Sequence, residues 1–82
     1  MFKCCIKNLI DFKDDKINVS DLCRCCGVSR TVFYKYLKSE KEPSVTTAIR
    51  ITEYLNEQLC SNGLVEIPDL YELEQFFRYE EE

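Results

Sequence analysis

Histidine is missing from this 82-residue chain altogether. Its absence removes the commonest general base, every Ser/His or Cys/His nucleophile pair and every mixed Cys/His zinc site. Hydrolase and transferase chemistry is thereby disfavoured, and a protein that is not an enzyme and takes no cofactor is expected. Glycine and proline are scarce, at two each, which argues against a collagen-like chain, a linker or a disordered segment. Long hydrophobic runs are lacking too. Crossing a bilayer takes about 20 apolar residues, whereas the longest uncharged stretch, Gln58 to Val65, has eight residues and includes Gln58, Ser61 and Asn62. The opening Met-Phe-Lys-Cys-Cys-Ile-Lys has no uninterrupted apolar segment of the secretory kind, so a cytoplasmic protein with no membrane partner is expected.

What is present suits one small folded domain. Hydrophobic residues make up 45% of the chain, among them five Phe and five Tyr. At 9.7 kDa such a chain buries roughly 64% of its unfolded surface, a single modest core. The six cysteines fall below the density of a disulfide scaffold. Cys4-Cys5 and Cys25-Cys26 are vicinal pairs that do not readily bridge one another. Cys23 and Cys26 have the spacing of a zinc half-site, but the Cys4-Cys5 pair has no matching ligand spacing. Free thiols packed as small hydrophobes in a reducing compartment are the favoured reading over metal binding or redox sensing.

Charge is unevenly placed. The net charge is −4, yet residues 1–63 hold ten Lys/Arg against eight Asp/Glu, while residues 64–82 hold Arg78 against seven acids. Within residues 24–41, Arg24, Arg30, Lys35, Lys38 and Lys41 face one glutamate, a local +4. Such a concentration is what a phosphate-facing surface requires, although a solvated helix face has the same composition.

Apolar periodicity and end signals predict helices and almost no strand. Phe2, Ile6, Leu9 and Ile10 mark a first helix to Lys13, closing in Asp14-Asp15-Lys16. Asn18 caps a second helix, with Asp21 at its third position, that stops at Gly27. Ser29 caps a third, Arg30 to about Lys38, with Phe33, Tyr36 and Leu37 on its inner side. Ser44 caps a fourth, with Val45, Ala48, Ile51, Tyr54 and Leu55 in period to about Leu59, ended by Asn62-Gly63. Leu64 to Ile67 is extended at most. Pro68-Asp69 then opens a fifth helix with Leu70, Leu73, Phe76 and Phe77, before the acidic Glu80-Glu81-Glu82.

The two short helices around Gly27 carry the most information. A small residue at Cys23 where the helices meet, a glycine in the turn, Val28 plugging the corner and Ser29 capping the next helix form a helix-turn-helix pattern, which plain core packing of a helical hairpin also resembles. The run Asn18-Val-Ser-Asp-Leu-Cys-Arg-Cys-Cys-Gly-Val-Ser-Arg-Thr-Val-Phe-Tyr-Lys-Tyr-Leu, followed by Pro43-Ser44 and by Ala48-Ile-Arg-Ile-Thr-Glu-Tyr-Leu55, resembles the Cro and phage-repressor type, the XRE family. The likeness spans residues 18–55, with Phe2 to Lys13 a looser fit to the first helix. Cys23 and Cys26 stand where the family usually has Ala and Leu. The family's Glu and Gly after the third helix and its Gln at the start of the second are replaced, with Leu37 and Ser39, and Val19 and Ser20, nearby. The third-helix segment also resembles TetR-type repressors, but 82 residues leave no room for their ligand-binding domain.

With the resemblance, the chain is expected to be all-α, a five-helix Cro/repressor-like fold with its helix-turn-helix domain over residues 1–63, the fifth helix lying in an acidic segment over 64–82 that stands outside the shared domain and is expected to dimerise or dock. The resemblance implies that Ser29, Arg30, Thr31, Tyr34, Lys35 and Lys38 line the groove side, with Ser20 at a phosphate. Arg30 is then the candidate for bidentate guanine reading, and Lys35, Lys38 and Lys41 the candidates for phosphate contact. Tyr34 is placed on a sugar or a phosphate. The apolar set Leu70, Leu73, Phe76 and Phe77 is assigned to a homodimer contact, against the alternative of a helix folded onto its own core.

Two functions are consistent with these features. The first is a sequence-specific transcriptional regulator of double-stranded DNA, a repressor of the small phage or mobile-element kind. The second is a helix-turn-helix adaptor or inhibitor that binds a protein partner and presents an acidic, nucleic-acid-mimicking surface.

Overall fold

The starts of the three longer helices in this chain are set by side chains that satisfy otherwise unbonded backbone amides. In the computed structural model, which describes residues 2–63 and 70–79, the Asn18 carboxamide accepts from the Asp21 amide at 3.1 Å and opens α2, Val19–Cys26. The Ser29 hydroxyl accepts from Val32 at 3.2 Å and opens α3, Arg30–Leu37. The Ser44 hydroxyl accepts from Thr47 at 3.2 Å and opens α4, Val45–Ser61. Each cap of this kind is worth about 1 kcal/mol. The buried faces of these helices, Leu22, Cys23 and Cys26, then Phe33, Tyr36 and Leu37, then Ala48, Ile51, Leu55 and Leu59, meet in one core.

The ends of the described chain depart from the all-α expectation. Phe2–Cys4 form a strand, β1, and the first helix shrinks to one turn, α1 (Ile6–Leu9). The fifth helix is also a single turn, α5 (Leu73–Phe76), running directly into a second strand, β2 (Phe77–Tyr79). The two strands pair antiparallel, with Phe2 opposite Tyr79, Lys3 opposite Arg78 and Cys4 opposite Phe77. Alternation explains the change from helix to strand. Phe2 packs on the core and Cys4 is buried while Lys3 is exposed between them, a period of two that a helix cannot give. The continuation past Leu9 is broken by the Asp11 carboxylate, which accepts from the amides of Lys13 and Asp14 at 3.0 and 3.1 Å and folds residues 11–16 into a turn. Leu9, expected in the core, is 38% exposed.

Phe76 and Phe77 belong to the apolar set expected at a homodimer contact. Both rings lie in the core of their own chain, at 0% and 2% exposure, Phe77 stacking on Phe2 at 6.1 Å and Phe76 tilting against Tyr71 at 5.2 Å. Leu70 and Leu73 are half-buried. The acidic segment after Gly63 is therefore distinct in composition, and its described part shares the core of residues 2–63. The expected extended stretch Leu64–Ile67 and the helix start at Pro68-Asp69 lie outside the described residues.

Hydrogen bonds latch this C-terminal segment in place. The Asn56 carboxamide donates to the Tyr71 carbonyl at 2.8 Å and accepts from the Tyr71 amide at 2.9 Å, pairing with the backbone as a strand would. Cys5 donates its amide to the Phe76 carbonyl at 2.7 Å. On the other side of the two-stranded sheet, the Cys4 amide donates to the Ser39 hydroxyl at 2.9 Å, just past the end of α3. Ser39 adopts φ 60°, a left-handed conformation more usual for glycine, and its hydroxyl supplies a bond that glycine lacks. No helix among the described residues is long and apolar enough to cross a membrane.

All six cysteines are free thiols, with Cys4, Cys5, Cys23 and Cys26 buried, Cys60 half-buried and Cys25 exposed. Burial pushes the Cys4 and Cys23 thiols up, and pushes Cys26 from 9.0 to about 11, with the neighbouring Cys25 and Cys23 adding to it. The native state thus holds these groups neutral where the unfolded chain would ionise. Their contribution to stability is whole below pH 9 and is lost as pH rises toward 11. The urea midpoint is expected to fall across that window and to fall less in Cys26→Ala; a flat midpoint would contradict it. A second expectation concerns the latch. Asn56→Ala removes both bonds to Tyr71 and should cost about 1–3 kcal/mol in denaturant melts, with faster amide exchange at Tyr71.

Candidate nucleic-acid interface

The turn between α2 and α3 is built by its sequence. Gly27 takes φ 71° and ψ 30°, and its amide and that of Val28 both bond to the Cys23 carbonyl, the latter at 3.0 Å. A Cβ on Gly27 would meet no atom within 4 Å, so the requirement is for backbone conformation and not for space. Cys23 is 4% exposed and Phe33 fully buried, with Phe12 set edge-on to Phe33 at 6.0 Å. With Phe33, Tyr36 and Leu37 turned inward, the opposite side of α3 is left to solvent.

That outward side holds the expected residues. Ser29, Arg30, Thr31, Lys35 and Lys38 are exposed, Tyr34 is 46% exposed, and Ser20 at the first turn of α2 and Lys41 in the loop after α3 are exposed as well. Two of them are brought together across the turn: an Arg30 guanidinium nitrogen donates to the Ser20 hydroxyl at 3.4 Å. Ser20, expected at a phosphate, thus also meets Arg30 ten residues on, through a side-chain conformation that the sequence does not specify. Arg30 also lies close enough to Cys23 to offset part of the upward push of burial on that thiol.

The charges differ in how far they are already used. Arg24 pairs with Asp21 one turn back on α2. Lys41 sits between Glu40 and Glu42 in the sequence, so its loop is net acidic. Arg30, Lys35 and Lys38 have no ion-pair partner among the described residues. Unpaired cations on one exposed helix face are what displaces counterions from a polyphosphate. Among the described residues, no group of three or more Cys, Asp or Glu side chains is arranged to hold a metal ion.

Comparison with known proteins agrees with this geometry. Residues 2–60 match the family model of the Cro/C1-type helix-turn-helix DNA-binding domain. A candidate helix-turn-helix-type transcriptional regulatory protein of Methanococcus maripaludis strain S2 is 46% identical over 57 residues, covering 60% of this chain and 18% of that protein. A protein of the same description from strain C5 is 46% identical over 44 residues, covering 54% of this chain and 14% of its own length. The chain thus spans less than a fifth of the curated relatives it matches. No solved structure matches it.

The close approach at Cys23 has a measurable consequence. Cys23→Ala should keep the fold, whereas Cys23→Leu should overpack the α2–α3 crossing by about 1–3 kcal/mol in denaturant melts. A leucine variant as stable as the parent would show that the two helices do not meet there.

Proposed function

Since the chain belongs to the Cro/C1-type helix-turn-helix family, we propose that it is a sequence-specific DNA-binding transcriptional regulator in which α3 enters the major groove. The observation that carries this reading is the exposed face of α3, where Arg30, Lys35 and Lys38 stand with no ion-pair partner among the described residues, opposite a buried apolar face. Net charge does not oppose it, because association responds to the field at the contact.

In this reading Arg30 is the base reader. Its planar fork fits the O6 and N7 acceptors of guanine, and the Ser20 hydroxyl limits where that fork swings. Lys35 and Lys38 take phosphates and fix register, with Ser29, Thr31 and Tyr34 completing the groove-side contacts. Lys41, flanked by two glutamates, contributes less. Repression is the regulatory sense we assign, since a domain seated in the groove excludes other proteins from that stretch of duplex. The resemblance to small phage and mobile-element regulators supports that sense. We assign a homodimer on a two-half-site operator; with Phe76 and Phe77 in the core and Leu73 packed against it, the half-buried Leu70 is what remains of the C-terminal apolar set for a partner copy.

Selection of bound duplexes from a random pool, followed by titration at several salt concentrations, tests the proposal. Arg30→Ala should lose discrimination at one or two base pairs of each half-site, by about 1–3 kcal/mol. Lys38→Ala should weaken all sequences evenly and flatten the log affinity against log salt slope by about one unit. A parent protein with a slope near zero would instead favour a helix-turn-helix adaptor with a protein partner, the reading its acidic net charge of −4 supports.

A further inference from the structure

The β1–β2 sheet carries an unfavourable arrangement that the fold does not need. Lys3 stands directly opposite Arg78 in the antiparallel register, so the two cations share one face of the sheet. Both are exposed, and neither has an ion-pair partner among the described residues. Directly opposed like charges destabilise a strand pair. The inner face of the same sheet is given to packing, with Cys4 and Phe77 buried and Phe2 packed on the core.

The place of this pair in the molecule suggests a use for it. The Cys4 amide is bonded to the Ser39 hydroxyl at 2.9 Å, so Lys3 lies one residue from one end of that bond and Lys38 one residue from the other. The loop that follows, with Lys41 between Glu40 and Glu42, is net acidic. The positive charge at this end of α3 is therefore carried on from Lys38 by the sheet.

We propose that the two-stranded β1–β2 sheet is a second phosphate-contacting element, in which Lys3 and Arg78 hold the sugar–phosphate backbone flanking the groove that α3 enters. The proposal rests on the DNA-binding reading above and extends its footprint beyond the helix-turn-helix. The charge repulsion tolerated in the free protein is relieved when a phosphate lies across both side chains. A contact made to the sugar–phosphate backbone adds affinity without sequence preference.

The test uses the full chain with Lys3→Gln and Arg78→Gln together, against the selected operator and a scrambled duplex over a range of salt. Loss of two phosphate contacts should flatten the log–log salt slope by about two units. Affinity should fall by the same factor on both duplexes and the selected base preferences should stay as in the parent. The variant should melt no lower than the parent, since a repulsive pair has been removed. A second variant, Lys13→Gln with Lys16→Gln, loses the same net charge from the turn after α1 and should change the slope much less. An equal change in both variants would overturn the contact, because net charge alone would then explain it. An unchanged slope in Lys3→Gln/Arg78→Gln, with Arg30→Ala still losing discrimination, would overturn the sheet contact and leave α3 as reader. A parent protein that binds no duplex would overturn both.

Discussion

The left-handed turn at Gly27 sets the direction in which α3 leaves α2, and every exposed group on α3 inherits its aim from that angle. A tight turn brings the two helices into contact at Cys23, where only a small side chain leaves room, and the contact drives Phe33 inward to full burial. Once Phe33, Tyr36 and Leu37 are committed to the core, the helical period turns Arg30, Lys35 and Lys38 outward. α4 packs against α2, and its buried residues share one core with those of α2 and α3.

How much of this was legible in the sequence depends on the range over which each interaction acts. The caps at Asn18, Ser29 and Ser44 and the stop at Gly27 involve groups within four residues of one another, and their chemistry is visible in the residues themselves. The exposed set on α3 follows from those ends by periodicity. The β1–β2 sheet was not legible, because β1 finds its partner more than seventy residues along the chain and Phe2, Ile6, Leu9 and Ile10 also suit a helical stripe. Phe76 and Phe77 illustrate a different limit: buried aromatics serve a dimer contact and an internal core equally well, and only the packing around Phe2 and Tyr71 distinguishes them. Ser20 and Arg30 meet through side-chain conformation, which no linear spacing specifies.

The separation of charge along the chain acquires meaning once the elements are placed. Arg24 is paired with Asp21 on its own helix and Lys41 lies in a loop between Glu40 and Glu42, so the local excess counted from residues 24–41 overstates the charge on the outer side of α3. Glu53 and Glu57 on α4 are exposed, and Glu72 and Glu74 are exposed near α5. The exposed acids thus belong to α4 and the segment around α5, whereas the exposed cations Arg30, Lys35 and Lys38 belong to α3 and its C-terminal end, so unlike charges sit on different elements of the chain.

The pairing of β1 with β2 also bears on how the chain reaches its fold. Contacts between α2 and α3 join residues close in sequence, whereas bringing Cys4 opposite Phe77 closes a loop through nearly the whole molecule. The entropy of closure grows only logarithmically with loop length, yet it must be met before any contact between the strands repays it. Contacts within the helix-turn-helix close short loops at small entropic cost, whereas the pairing of β1 with β2, which brings Phe77 into the core, closes the longest loop among the described residues.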